Sequence, residues 1–423
     1  MWAIAARHPK VRLNEMVIPW HIRGPLELAA LRYALDALVA RHVTLRSLLR
    51  YERGQLDQIT LSTEPIPMEV IEVDGATPDE RIEATLALIN GRAGRAVDVI
   101  AGPPLHVQLF RLGDSDHVLC VRVHHAMCDG WSIGLMLHDL VALYVARRDG
   151  RPHGLPPLKM QQSDVAKWEF DTYASGGFET ELRYWRAELA DPPQPVCLPT
   201  IAPRKNNRDW NARLTRRSLP LETYAPLRDL ARRLRVSRFS VLLAALCVML
   251  RRHAASDDML IGVPTLNRWS DDAMRVVGYA TSLLPIRVRI DGDLPFSSLC
   301  ARVHARTHEM LANGRVPYEV LLRETDLAKF DQALMPVWSQ YFEQSSRRPY
   351  TVGGLEIRQL TTARCSMLAE FDLDLYGADD GLVCEFGYRT ALFDPAWVDA
   401  FIEQYLSVLG VVPERPDGAL RTL

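Results

Sequence analysis

The sequence predicts an α/β protein of two lobes, each a mixed sheet packed by helices. Three observations predict it. Short runs rich in β-branched residues alternate with longer stretches of helical periodicity along the whole chain. The 423 residues exceed the roughly 250–300 that one hydrophobic core usually supports. A stretch rich in Pro, Asn and Arg, from Asp191 to Asp209, interrupts the pattern near the middle and reads as a linker. The expected division is a first lobe over 1–190, a linker over 191–211 and a second lobe over 212–423.

The first lobe opens with a strand, Val11 to Ile22, broken by Gly24-Pro25. A helix follows, with Leu28, Leu31, Leu35, Leu38 and Val39 on one face and a basic end, Arg41 to Arg46, that complements its dipole. Residues 55–73 read as two short strands separated by Pro65 and Pro67, and 78–93 as a helix. Strands at 105–112 and 117–125 flank a turn-rich Gly113-Asp114-Ser115-Asp116 and read as a hairpin. Gly150 to Leu158 is a loop, and 164–190 reads as one helix opened by Ser163-Asp164.

The second lobe begins with a strand at 212–219 and helices at 222–234 and 237–253, the latter capped by Ser237. A strand at 259–263, a strand with a glycine bulge within 277–287 and a helix at 296–313 follow. Residues 370–375 and 381–388 alternate as a hairpin, and 395–409 is the last helix.

Composition excludes several classes. Hydrophobic content of 48% and charged content of 24% fit an ordinary globular protein. A net charge of −2 favours neither nucleic acid nor an anionic membrane as partner. No apolar run reaches the ~20 residues of a spanning helix, and Met1 to Lys10 is not a signal peptide. Seven cysteines without CxxC spacing point to reduced thiols and a cytoplasmic protein.

Most chemical information lies in Leu119 to Trp131. A β-branched approach runs into His124-His125, then the turn signal Asp129-Gly130, then a helix carrying Ile133, Leu137, Leu140, Val141 and Tyr144 on one face. Successive strand side chains point to opposite faces. If the strand persists, His125 shares a face with Leu119, Val121 and Val123, and His124 shares the other with Cys120 and Arg122. The apolar company of His125 favours the neutral imidazole that a general base needs. His124 reads as a local structural partner. Adjacent histidines on opposite faces chelate one ion poorly, and no His or Cys cluster lies at ligand spacing, so no metal is expected. There is no GxSxG and no Gly-rich phosphate loop. Cys128 is near His125, but a thiol–imidazole couple needs the side chain to face the ring.

His124-His125-x-x-x-Asp129-Gly130 resembles the HHxxxDG signature of nonribosomal peptide synthetase condensation domains, within the chloramphenicol-acetyltransferase-like superfamily. Gly24 to Arg46 resembles the family's helix ending in RHxxLR. Ser163 to Trp168 resembles its Y-x-D-F-A-x-W element. Ile261 to Arg268 is similar to IGxPxxNR, Val277 to Arg287 to G-x-F-V-N-T-L-P-x-R, and Val316 to Glu319 to P-F/Y-E. Two parts depart: the opening A-Q-x-R-x-W segment is mostly absent, with Trp2 as a remnant, and Phe330 to Val337 lacks both arginines of R-D-x-S-R-x-P-L.

The resemblance implies two acetyltransferase-like lobes in a V-shaped pseudo-dimer, with a tunnel between them and His125 midway. It implies an acyltransferase that moves an acyl group from the phosphopantetheine thioester of an acyl or peptidyl carrier protein to an amine or hydroxyl, in nonribosomal peptide or hybrid polyketide biosynthesis. His125 would be the base, and the Gly130 N–H the oxyanion donor. Asp129 is expected in a structural ion pair with Arg268, or else with Arg46 or Arg41; His124, Arg46 and Arg41 are carried over as structural. No cofactor is expected beyond the phosphopantetheine that the carrier brings. The expected protein is a monomer acting in trans, possessing one catalytic unit, with a soluble acceptor favoured over a carrier-bound one by the altered acceptor-side motif. The rivals are an acyl-CoA-dependent acyltransferase of the wax-ester-synthase type and a non-catalytic recruitment module.

Overall fold

Val118 to Val123 puts apolar side chains on both faces of one strand, and both faces are buried. The structure is a computed structural model that describes residues 15–53, 55–91, 97–205, 207–327, 335–343, 349–362 and 366–422. In it β6 (Asp116–His124) lies between β1 (Glu15–Arg23) and β5 (Leu105–Gly113), antiparallel to each. Parallel β4 (Met68–Glu72) extends the sheet beyond β5. Beyond β1 the sheet continues through β12 (Leu355–Gln359) and β11 (Tyr350–Val352). Leu119, Val121 and Val123 pack against α1 (Leu28–Arg41) and α3 (Gly130–Arg148). Val118 and Cys120 face Ile89 of α2 (Pro78–Gly91). The alternation read from the sequence is therefore the alternation between two cores.

The second sheet has the order β7 (Ala212–Pro220), β14 (Gly381–Arg389), β13 (Phe371–Ala378), β10 (Val337–Glu343), β8 (Asp258–Leu266), β9 (Thr281–Arg289). Its helices are α6 (Leu221–Leu234), α7 (Arg238–Ala254), α8 (Phe296–Ala312), α9 (Tyr318–Glu324) and α10 (Pro395–Val411). Every residue of α7 from Ser240 to Leu250 is buried, which its unbroken apolar run requires.

The two sheets repeat one pattern. In β1-β6-β5-β4 and in β7-β14-β13-β10 the pairings run antiparallel, antiparallel, parallel. The third and second strands of each set form a hairpin, whose last strand ends five residues before an aspartate that caps the next helix: His124 and Asp129 in one, Arg389 and Asp394 in the other. In the second copy Thr390 stands in the place of His125, and Pro395 in that of Gly130. Only the first copy has a histidine and a glycine at these two places.

The chain divides into two units differently from the expected cuts at 190 and 212. The first holds residues up to Asp171, Arg268–Ala280 and the described residues 349–362; the second holds the rest. The physical reason is pairing: β12 hydrogen-bonds to β1, and Arg268 bonds to Asp129. The single helix expected over 164–190 is two, α4 (Gln162–Ala174) and α5 (Glu179–Glu188), because Gly176 takes a left-handed φ of +76° between them. The strand expected within 277–287 starts only at Thr281, so Gly278 is no bulge. Strands β2 (Ser47–Glu52), β3 (Gln55–Thr60) and β10–β12 complete the set; of these only β3 was legible. Trp2 and Phe330 to Leu334 lie outside the described residues. Among the described residues no helix is long and apolar enough to cross a membrane.

Candidate active site

β6 ends at His124, and His125 opens a 3₁₀ turn, His125–Met127. The turn, not strand alternation, therefore aims the second imidazole. His124 is buried, and its Nδ1 accepts the Ala126 N–H at 3.1 Å, capping that turn. Burial, reinforced by the neighbouring His125, pushes its pKa down to about 4. In a neutral ring that nitrogen, Nδ1, is already used as an acceptor and is not available as a base.

His125 is half-buried, with Nδ1 2.8 Å from the Cys128 carbonyl. A carbonyl only accepts, so Nδ1 carries the proton and Nε2 keeps its lone pair. Burial lowers its pKa, against the opposing pull of the backbone and of Asp129. This is the state a general base requires at neutral pH. The ring of Tyr279 stands T-shaped to it, centroids 5.4 Å apart at 82°. Cys128 turns its carbonyl, not its thiol, to the ring. Its Sγ is buried, 3.7 Å from Met136 Sδ, and burial holds the thiol far above its usual range.

Asp129 caps α3. Its Oδ1 accepts from the Ser132 N–H at 3.0 Å, and its carbonyl accepts from Ile133. Arg268 grips the same carboxylate with two nitrogens, Nη1 to Oδ2 at 2.8 Å and Nη2 to Oδ1 at 3.0 Å. Both side chains are buried. Burial alone would raise the Asp129 pKa, but the bonds from Arg268 and Ser132 hold it below the ordinary carboxylate value. Arg268 also reaches the carbonyls of Val276 and Gly278.

The alternative partners stand elsewhere. Arg41 donates to Asp139 Oδ2 at 2.8 Å and to the Pro156 carbonyl; Asp139 is ten residues along α3, about 15 Å from Asp129 at helical rise. His42 and His138 share that carboxylate. Arg46 donates to the Leu61 carbonyl. These arginines fasten the ends of α1 and its following turn, and neither pairs with Asp129.

Gly130 is the first residue of α3, where a backbone N–H has no preceding turn to bond to. The helix dipole adds partial positive charge there. A Cβ built on Gly130 meets nothing within 4 Å. Gly130→Ala is therefore expected to melt within about a degree or two of wild type, since an exposed first-turn Gly→Ala is worth well under ~1 kcal/mol, while its methyl group obstructs the space beside the N–H and lowers acyl transfer about tenfold or more. Equal rates for the two proteins would remove Gly130 from the site.

Several residues of this site escaped sequence reading. Ser132, three residues after Asp129 at the spacing of a cap, was not singled out. Gly278 was read only as a motif glycine in a strand, Tyr279 and Ala280 only as part of that motif's variable core, and Gln162, just before the Ser163-Asp164 helix start, was not singled out. Among the described residues no group of three or more His, Cys, Asp or Glu side chains is placed to hold a metal ion.

The mixed sheet and the histidine turn at the start of an Asp-capped helix fit the acetyltransferase-like architecture that the resemblance implied. The condensation domain family model matches residues 1–423, and the chain belongs to that family. It is 30% identical over its whole length to phosphinothricin tripeptide synthetase PhsC of Streptomyces viridochromogenes, spanning 39% of that protein. It is 28% identical over 94% of its length to malpibaldin synthetase of Mortierella alpina, spanning 7% of that protein. The chain thus spans well under half the length of these relatives. Among solved structures, the X-domain from teicoplanin biosynthesis superposes with a TM-score of 0.88 at 25% identity, over 100% of this chain and 95% of that one. The same X-domain in complex with OxyB superposes at 0.85, with 25% identity over 100% and 93% of the two chains.

Proposed function

We propose that this domain transfers an acyl group from the phosphopantetheinyl thioester of a carrier protein to an amine or hydroxyl. The observation that carries the reading is the tautomer of His125: with Nδ1–H given to the Cys128 carbonyl, Nε2 is the free base. The acceptor attacks the thioester carbonyl while Nε2 takes its proton. The tetrahedral oxyanion draws on the Gly130 N–H. On collapse the C–S bond breaks, and the thiolate recovers the proton from the imidazolium. Asp129, Arg268 and His124 hold the turn, and Arg41 and Arg46 brace the helices around it. The protein needs no resident metal or cofactor for these steps.

The acceptor is a soluble amine or alcohol, and the domain meets its donor in trans as a monomer in the cytoplasm. The support for a soluble acceptor met in trans is the absence from the sequence of both arginines of the acceptor-side motif near Phe330 to Val337, and the support for the cytoplasm is the scattered, unpatterned cysteines. The test is intact mass spectrometry of an acyl-loaded carrier protein mixed with this domain and a panel of soluble amines and alcohols. Acceptor-dependent loss of the acyl group is expected, and the product mass distinguishes amide from ester. Discharge only to an acceptor loaded on a second carrier would overturn the soluble-acceptor part; acyl-CoA outcompeting the carrier as donor would favour a wax-ester-type enzyme. A recruitment module is the second reading, favoured by the fold's similarity to an X-domain solved as a complex with OxyB. Carrier or partner binding without any discharge would establish it.

A further inference from the structure

Tyr279 lies between the short turn Ala273–Arg275 and β9, in neither helix nor strand, so its position depends on ties made by the backbone around it. Those ties converge on one place. The Gly278 N–H donates to Ser132 Oγ at 3.1 Å, and its carbonyl lies 2.9 Å from the same oxygen. The Ala280 N–H donates to Asp129 Oδ2 at 3.1 Å. The Tyr279 carbonyl accepts from Gln162 Nε2 at 2.9 Å. A Cβ at Gly278 would stand 2.0 Å from Gln162 Oε1, so any larger residue there would push the Gln162 side chain aside. Three consecutive residues are thus fastened to the turn that opens α3 and to the first turn of α4, and the side chain they carry meets His125.

His125 needs such a neighbour. The hydrogen bond from Nδ1 to the Cys128 carbonyl sets the direction of the ring but leaves it free to rock about that bond. A ring packed T-shaped against it restricts the rocking and covers its surface. We propose that Tyr279, held by Gln162 and by the Gly278 and Ala280 backbone, is the positioning residue of this site, fixing the rotation of the His125 imidazole and shielding it from water. The proposal rests on the reading of His125 as the base.

The test uses Tyr279→Ala, Tyr279→Phe and Gln162→Ala, each checked for fold by thermal melting and read in two ways. In the carrier-discharge assay Tyr279→Ala is expected to lower kcat by about tenfold to a hundredfold, the effect of a misplaced reacting group, with KM for the loaded carrier little changed. In an NMR titration of isotopically labelled histidine, the His125 midpoint is expected to rise toward the ordinary imidazole range, because burial is what lowers it. The ionisable groups around the ring are His124, the Cys128 thiol, and Asp129 with its partner Arg268. None of these groups is substituted in these variants, so a moved midpoint is expected to report exposure. Tyr279→Phe restores both readouts, since the ring and not the hydroxyl does the work, and Gln162→Ala shifts both in the same direction by less. Unchanged kcat and midpoint in Tyr279→Ala, a loss confined to KM, or a Phe variant as poor as the Ala variant would each overturn the proposal. If the wild-type domain discharges no carrier, the functional reading fails, while the titration alone still decides whether Tyr279 shields the imidazole.

Discussion

Replacing His125 with alanine is expected to slow carrier discharge by about 10²–10⁴-fold, the usual worth of a positioned general base, without unfolding the domain. The side chain is half-buried, and its hydrogen bond goes to a carbonyl that a water molecule can serve in its absence. The wild-type pH–rate profile carries the same signature. The base must be neutral, and burial lowers its pKa, so the acid limb is expected below the range of an exposed histidine. His124→Ala makes the contrast: it uncaps the turn that carries His125 and chiefly costs stability. For His124 the unfolded chain takes up a proton near 6.5, the folded one near 4, so its contribution is complete above 6.5 and is lost as pH falls through 4. Intact mass spectrometry gives the rates and urea unfolding the stabilities. A His125→Ala protein that discharges carrier at the wild-type rate would end the general-base assignment.

Asp129→Ala is expected to destabilise the fold by about 3–5 kcal/mol, because it leaves the Arg268 guanidinium buried without its carboxylate and strips the cap from α3. It also releases the Ala280 N–H. Arg268→Ala is expected to cost a similar amount, and the double variant less than the sum, since each single change strands the other partner. The pair is strongest wherever Asp129 is ionised. Its depressed pKa means that the contribution is whole above the ordinary carboxylate value of 3.8 and is lost only as pH falls below it. Denaturant unfolding at neutral pH measures both effects. An Asp129→Ala protein as stable as wild type but inactive would move Asp129 from scaffold into chemistry.

Much of the site was legible because its logic is local. The alternation of Val118 to Val123, the Asp129-Gly130 turn and the helix period after it are all short-range patterns, and they place His125 between a strand and a helix N-terminus without any tertiary information. The correction at this point is also local: the strand stops at His124, so a turn orients His125 where alternation had been assumed. Of the three arginines considered for Asp129, charge alone could not choose. The resemblance put Arg268 first and Arg46 and Arg41 behind it, and the structure places Arg268 on Asp129.

What the sequence by itself determined is the set of elements that take their form from neighbours a few residues away: β6, the helix α3 after its Asp129-Gly130 turn, the buried and Ser237-capped α7, the hairpin of β13 and β14. What only the tertiary structure decided is pairing at a distance. Arg268 meets Asp129 across 139 positions of chain, β12 pairs with β1 despite a short sequence with little pattern, and Tyr279 reaches His125 through backbone ties that leave no side-chain pattern to read. Periodicity and capping are written in successive residues because their forces act over one or two turns. The choice among distant partners is made by whichever contacts can be buried together without leaving a charge or a polar group unpaired.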